Sequence, residues 1–159
     1  MEITEQDKKF MREAIRLSEE SVKNGGGPFG AVIVKDGEII AGLSNSVRPD
    51  NDPTAHAEVN TIRQACKKLG TFDLSGCVIY TSCEPCPMCL GAIYWAHLDR
   101  IYYANNREDA ARISFDDDFI YQEIARPMSE RTTPIVQMLR DEALGAFRMW
   151  DELEDKARY

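Results

Sequence analysis

Between Glu5 and Asn24 the apolar residues Phe10, Met11, Ala14, Ile15, Leu17 and Val22 recur every three or four positions, with charged residues on the other face. That period predicts an amphipathic helix. Gly25-Gly26-Gly27 follows, then Pro28-Phe29-Gly30 opens an extended segment. No Gly-Lys-Ser/Thr comes after the glycines, so they read as a helix stop rather than a phosphate cradle. Ala31–Val34 and Glu38–Ala41 flank Lys35-Asp36-Gly37. Asp-Gly favours a tight turn, which predicts an antiparallel hairpin. Helical and strand patterns then alternate. Helices are expected at Pro53–Leu69 and Pro87–Ala96, and strands at Cys77–Thr81 and Arg100–Ala104. Further helices are expected at Arg107–Arg112, Phe119–Ala125 and Asp141–Leu153, with a fifth strand at Ile135–Leu139. The alternation predicts an α/β fold with layered helices and sheet.

Composition narrows the class. At 159 residues, with 43% apolar and 29% charged side chains, the chain suits one globular domain and needs no disulfides for stability. No apolar run approaches the roughly 18 residues of a spanning helix, and the N-terminus lacks the layout of a signal peptide. The expected location is the cytoplasm, with no membrane partner. The net charge of -8 is uneven, since residues 1–80 carry 10 basic and 12 acidic side chains and residues 81–159 carry 9 and 15. Without a basic block, large nucleic acid is not an expected partner.

Candidate chemistry is concentrated in two segments, His56-Ala57-Glu58 and Cys83-Glu84-Pro85-Cys86-Pro87-Met88-Cys89. Pro87 suits a first helical position, which places Cys86 at the N-cap and Cys89 one turn on. Both sulfurs then share a face, and the positive helix end favours thiolates. Cys86 and Cys89 supply two of zinc's four ligands and His56 is the natural third, whereas His97 falls at the far end of the same helix. Three ligands leave a position where water can bind and have its pKa brought toward about 7. Glu58 can act there as general base and then general acid, provided that it and His56 share a helix start. Asp52-Pro53-Thr54 is a plausible cap for such a start. Other readings of the cysteines alone are a redox pair, half of a structural zinc site, or a site closed by Cys83. An iron–sulfur run wants a fourth cysteine at the position held by Ile93. Cys66 and Cys77 read as small buried hydrophobes.

His-x-Glu followed by Pro-Cys-x-x-Cys is the signature of zinc nucleobase deaminases. Over nearly its whole length the chain resembles bacterial guanine deaminases of the cytidine-deaminase-like fold. The resemblance is carried by Gly27–Gly37, Asn51–Val59, Tyr80–Trp95 and, less specifically, Phe115–Tyr121. It implies a three-layer α/β/α domain over residues 1–159 with a mixed, roughly five-stranded central sheet. It also implies zinc on His56, Cys86 and Cys89, Glu58 as proton shuttle, Cys83 outside the ligand set, and hydrolysis of guanine to xanthine and ammonia. Asn45 and Asp117 match positions that contact the purine, and Ala57 joins them as a substrate-binding position. Asn45 could instead end a strand, and Asp117 could be a solvated acid or a helix cap. Phe29 and Trp95 could wall a flat base, or be core. By the same resemblance, residues 140–159 are exchanged within a homodimer as a lid over the partner's site. Competing readings are a deaminase of guanosine or an aminotriazine, a tRNA-adenosine deaminase, which the acidic charge disfavours, and a structural zinc module with no need of Glu58.

Overall fold

A computed structural model describes residues 2–159. Helix α1 (Glu5–Lys23) begins at a reciprocal cap, in which Thr4 Oγ1 accepts from the Asp7 amide at 3.1 Å and Asp7 accepts from the Thr4 amide at 2.8 Å. It ends at Asn24, before Gly25 in the left-handed region. Strands β1 (Gly30–Lys35) and β2 (Glu38–Ser44) form the expected hairpin. Asp36 and Gly37 both take positive φ, as the favoured two-residue turn requires.

A short helix, α2 (Val47–Asp50), precedes α3 (Ala57–Leu69). The sequence predicts a helix from Pro53, and the structure corrects this start by four residues. Asp52 accepts from the Thr54 amide at 2.8 Å and from its hydroxyl at 2.7 Å. The expected capping sequence is therefore spent on a local turn, and His56 becomes the N-cap.

Strand β3 (Cys77–Cys83) leads into α4 (Pro87–Trp95), and β4 (Arg100–Asn105) returns parallel to β3. The sheet order is β2-β1-β3-β4, with β1 antiparallel to both its neighbours. The sheet is mixed, as expected, and among the described residues has four strands rather than five. Ile135–Leu139 forms no strand. Its periodicity is compatible with a strand, but a strand exists only where a neighbouring edge accepts its ladder. Leu139 instead takes a left-handed conformation at the start of the last helix.

Both faces of the sheet are covered, which explains the unbroken apolar run of β1. Val32, Val34 and Tyr80 meet Phe10 and Ala14 of α1, whereas Ala31, Ile33 and Ile79 pack with Ala57 and Ala65 of α3 and Ile93 of α4. Cys77 is fully buried in the second cluster and Cys66 packs against it, consistent with small hydrophobes. Tyr80 fastens one layer to the next. Its hydroxyl donates to Asp7 Oδ1 at 2.6 Å, and its ring stacks on Tyr102 at 4.9 Å.

Helix α5 (Arg107–Arg112) is capped by Asn106, and α6 (Asp118–Ala125) follows. The residues through Asp118 form one compact unit and Phe119–Tyr159 a second. In the second unit the Glu123 carboxylate accepts from the Thr132 amide at 2.7 Å, and its backbone carbonyl accepts from Arg131 Nε at 3.0 Å. A single 3₁₀ turn (Met128–Glu130) and α7 (Arg140–Asp151) complete it, and α7 buries no residue. No helix is long and apolar enough to cross a membrane among the described residues.

Candidate metal centre

Two helix N-termini build the site. His56 caps α3 and Cys86 caps α4, both with extended backbone, so the two side chains project beyond the helix ends. Pro87 occupies the first turn of α4, where its missing N–H costs nothing. The Cys89 amide donates to Cys86 Sγ at 3.5 Å, so the cap itself is a candidate ligand. His56 Nδ1 lies 3.6 Å from Cys86 Sγ and 3.5 Å from Cys89 Sγ, and the three donor atoms fall within 4.8 Å of one another.

These residues fit zinc. A tetrahedral ion with Zn–N near 2.0–2.1 Å and Zn–S near 2.3 Å holds its nitrogen and sulfur about 3.6 Å apart, which is the spacing seen here. Cys83 stands outside the group, buried, with its thiol 3.9 Å from the Asn106 carbonyl. His97 also stands outside it, in a left-handed conformation just past the end of α4.

Electrostatics favour the anionic form at one of the three donors. Cys86 is lowered to about 4, first by the neighbouring Cys89 thiol and then, against the effect of burial, by the His56 ring. Cys89 is driven upward by the same pairing and by burial. His56 is raised, chiefly by its hydrogen bond to Cys86. Burial pushes Cys83 up to about 12, keeping it a neutral thiol. A soft anionic donor is thus already favoured at Cys86, as metal capture requires.

Glu58 is in the first turn of α3 and is buried at 6% exposure. Its Oε1 accepts from Thr81 Oγ1 at 2.9 Å, while Oε2 lies 3.4 Å from Cys89 Sγ. Desolvation raises this carboxyl above its usual range, a direction that suits a group exchanging protons near neutral pH.

The remaining predicted positions are distributed around this core. Ala57 is fully buried at the first helical position of α3. Phe29 is half-buried, edge-on to Phe115 at 5.0 Å, and its carbonyl accepts from the Asn45 amide at 3.1 Å. Asn45 Oδ1 accepts from the Val47 amide at 3.2 Å, closing a local turn directly after β2. Asp117 has a buried oxygen, Oδ1, with no hydrogen-bond partner among the described residues. Burial raises its carboxyl, and its charge acts on His56, which marks it as a neighbour of the cluster. Trp95 ends α4 and is 66% exposed. It stands six residues, about 9 Å of helix rise, beyond Cys89.

Three contributors were not legible in the sequence. Thr81 is one. Asn60 is another, as its Nδ2 donates to Ser46 Oγ at 2.9 Å and the Ser44 carbonyl at 3.1 Å, holding the segment that leads toward His56. Arg107 is the third. It pairs with Glu84 at 3.1 Å and with Asp118 at 3.6 Å, joining the turn before Cys86 to the residue after Asp117. The available signal was a polar side chain on an otherwise apolar strand or helix face, which names no partner.

Comparison with known proteins agrees with this geometry. Residues 4–105 match the family model of the cytidine and deoxycytidylate deaminase zinc-binding region. A guanine deaminase of Bacillus subtilis is 55% identical over 151 residues, covering 94% of this chain and 97% of its own. The X-ray structure of a Bacillus subtilis guanine deaminase superposes with a TM-score of 0.93 at 52% identity over 99% of both chains. A tRNA-specific adenosine deaminase of Aquifex aeolicus is 41% identical over 60% of this chain and 63% of its own.

Proposed function

Because the chain belongs to the cytidine and deoxycytidylate deaminase zinc-binding family, we propose that it is a zinc-dependent guanine deaminase, hydrolysing guanine to xanthine and ammonia. The observation that carries the substrate is the extent of similarity. The family match ends at residue 105 and the Aquifex tRNA deaminase covers 60% of the chain, whereas the guanine deaminase covers 94%. The net charge of -8 also disfavours a tRNA substrate, which needs a cationic surface.

His56, Cys86 and Cys89 would hold the zinc, which when bound would supply a Lewis acid able to make water nucleophilic near neutral pH. The chain's own residues do the rest. Glu58 takes one proton from the attacking water at Oε2, the oxygen facing Cys89, and delivers it to a ring nitrogen of the purine; it then takes a second from the hydroxyl left on the attacked carbon and delivers it to the amine, which departs as ammonia as the carbonyl forms. Ala57 offers a backbone N–H that, at a first helical position, has no acceptor within its own helix. Asn45 and Asp117 hold the polar edge of the base. The unpartnered Asp117 oxygen supports this assignment, since a ligand donor would satisfy it. Phe29 and Trp95 provide flat apolar surface for the ring.

The active unit in this proposal is a homodimer in which residues 140–159 of each chain cover the partner's site. Val136, Met138, Phe147 and Met149 are each exposed in the chain by itself, and so many exposed large apolar side chains support burial against another subunit. We place the enzyme in the cytoplasm, in purine breakdown or salvage. Ammonia release by the zinc-loaded protein from guanine, guanosine, adenine and cytosine tests this, with Glu58→Ala alongside. Release from guanine that disappears in the variant is the expected result. Release from guanosine alone moves the substrate, and silence on all four overturns the proposal.

A further inference from the structure

Glu58 has three side-chain torsions to fix, and the Cys89 sulfur, 3.4 Å from Oε2, does not hold the other carboxylate oxygen. The strand beneath does. Thr81 lies on the face of β3 that also carries Ile79, opposite Ala31 in the ladder, and is 1% exposed. Its hydroxyl donates to Glu58 Oε1 at 2.9 Å, with the Cys83 carbonyl as a second acceptor at 3.1 Å. The donor is rigidly mounted. β3 is paired on both edges, and Ser82 next in sequence accepts from the Gly30 amide at 3.0 Å. The acceptor's helix is mounted too, because Thr61 Oγ1 bonds to the Ala57 carbonyl at 2.7 Å and to the Ala31 carbonyl at 3.2 Å. The helix is therefore fixed to β1, which in turn is laddered to β3 with Ala31 opposite Thr81.

We propose that Thr81 is a positioning residue whose hydroxyl occupies Glu58 Oε1 and so commits Oε2, 3.4 Å from Cys89 Sγ, to proton exchange with the substrate. The catalytic part of this statement rests on the deaminase reading above, whereas the positioning part does not. A hydrogen bond that orients a reacting group without touching substrate is felt in turnover and not in binding.

The experiment compares zinc-loaded Thr81→Val and Thr81→Ser with the unaltered protein. Valine keeps the volume and removes the donor. Its kcat on guanine is expected to fall about ten- to a hundredfold, the equivalent of one hydrogen bond to a charged group. Zinc content and KM should stay at the unaltered values. Serine, which keeps the hydroxyl, should restore most of the rate. A crystal structure of the zinc-loaded Thr81→Val protein should show the Glu58 carboxylate turned from its present pose. Unchanged kcat, equal impairment in both variants, or loss of zinc from Thr81→Val would each overturn the proposal. If the unaltered protein releases no ammonia, the deaminase reading fails separately, and the pose of Glu58 in the Thr81→Val crystal then decides the positioning role.

Discussion

The residues through Asp118 and those from Phe119 onward are built on different principles. In the first unit apolar side chains are spent on a core, with Ile33 and Ile79 both at 0% exposure, and every buried residue lies at or before Ala110. In the second, Val136 is 83% and Phe147 74% exposed, and the fold rests on local bonds such as those around Glu123. A helix of α7's 12 residues is marginal without a packed face. The lesson is one of self-sufficiency. The candidate ligands, the carboxylate proposed to exchange protons and its tether all come from β3, α3 and α4 or their caps, over a core of their own. The C-terminal segment leaves apolar side chains such as Val136 and Phe147 exposed, and the lid proposal rests on that surface.

The comparison can be broken most directly at the chemistry. Glu58→Ala should lower kcat on guanine by about 10²–10⁴-fold, the usual contribution of general acid–base catalysis. Its zinc content should stay at that of the unaltered protein, read by metal analysis. A smaller loss would place the proton exchange outside the first unit. Stability should divide along the same boundary. Ile79→Ala should cost about 2–5 kcal/mol in denaturant unfolding, whereas Val136→Ala, measured under dilute monomeric conditions, should stay within about 0.5 kcal/mol. Equal costs would mean that the second unit has a core after all.

Removing residues 140–159 should turn a dimer into a monomer by light scattering. It should lower kcat/KM by about tenfold or more, the loss of a lid that shields the reaction, while zinc remains bound. A fully active monomer would end the lid proposal.

The smallest effect concerns the link between α1 and β3. Asp7 is held below its usual 3.8, first by the Tyr80 hydroxyl and then by Thr4. The unfolded chain therefore binds the proton more readily, so this contribution is present above the usual value and is lost as pH falls through the lowered one. Because Asp7 is largely solvated, the effect is modest. Asp7→Asn should flatten the acid limb of the unfolding curve, and an unchanged slope would show that the bond to Tyr80 contributes little.

Much of this was legible in the sequence because it is local. The period of α1, the Asp36-Gly37 turn and Pro87 ahead of Cys89 each depend on neighbours a few residues apart. The ligand spacing of Cys86 and Cys89 is fixed by one helical turn. The sequence alone therefore determined the α/β class, the hairpin, the helix that presents the thiolates, and the short list holding His56 and Glu58. Only the tertiary structure decided which distant groups meet. Thr81 reaches Glu58 across 23 positions, Arg107 reaches Glu84 across 23, and Asn60 gathers the segment before His56. The start of α3 at Ala57 depended on Asp52 choosing Thr54 over the helix, and Ile135–Leu139 lacked a strand edge to join. Periodicity tells which face of an element is apolar. Hydrogen bonds between elements are set by the register and packing that bring those faces together, and one chain read alone carries no direct signal of them.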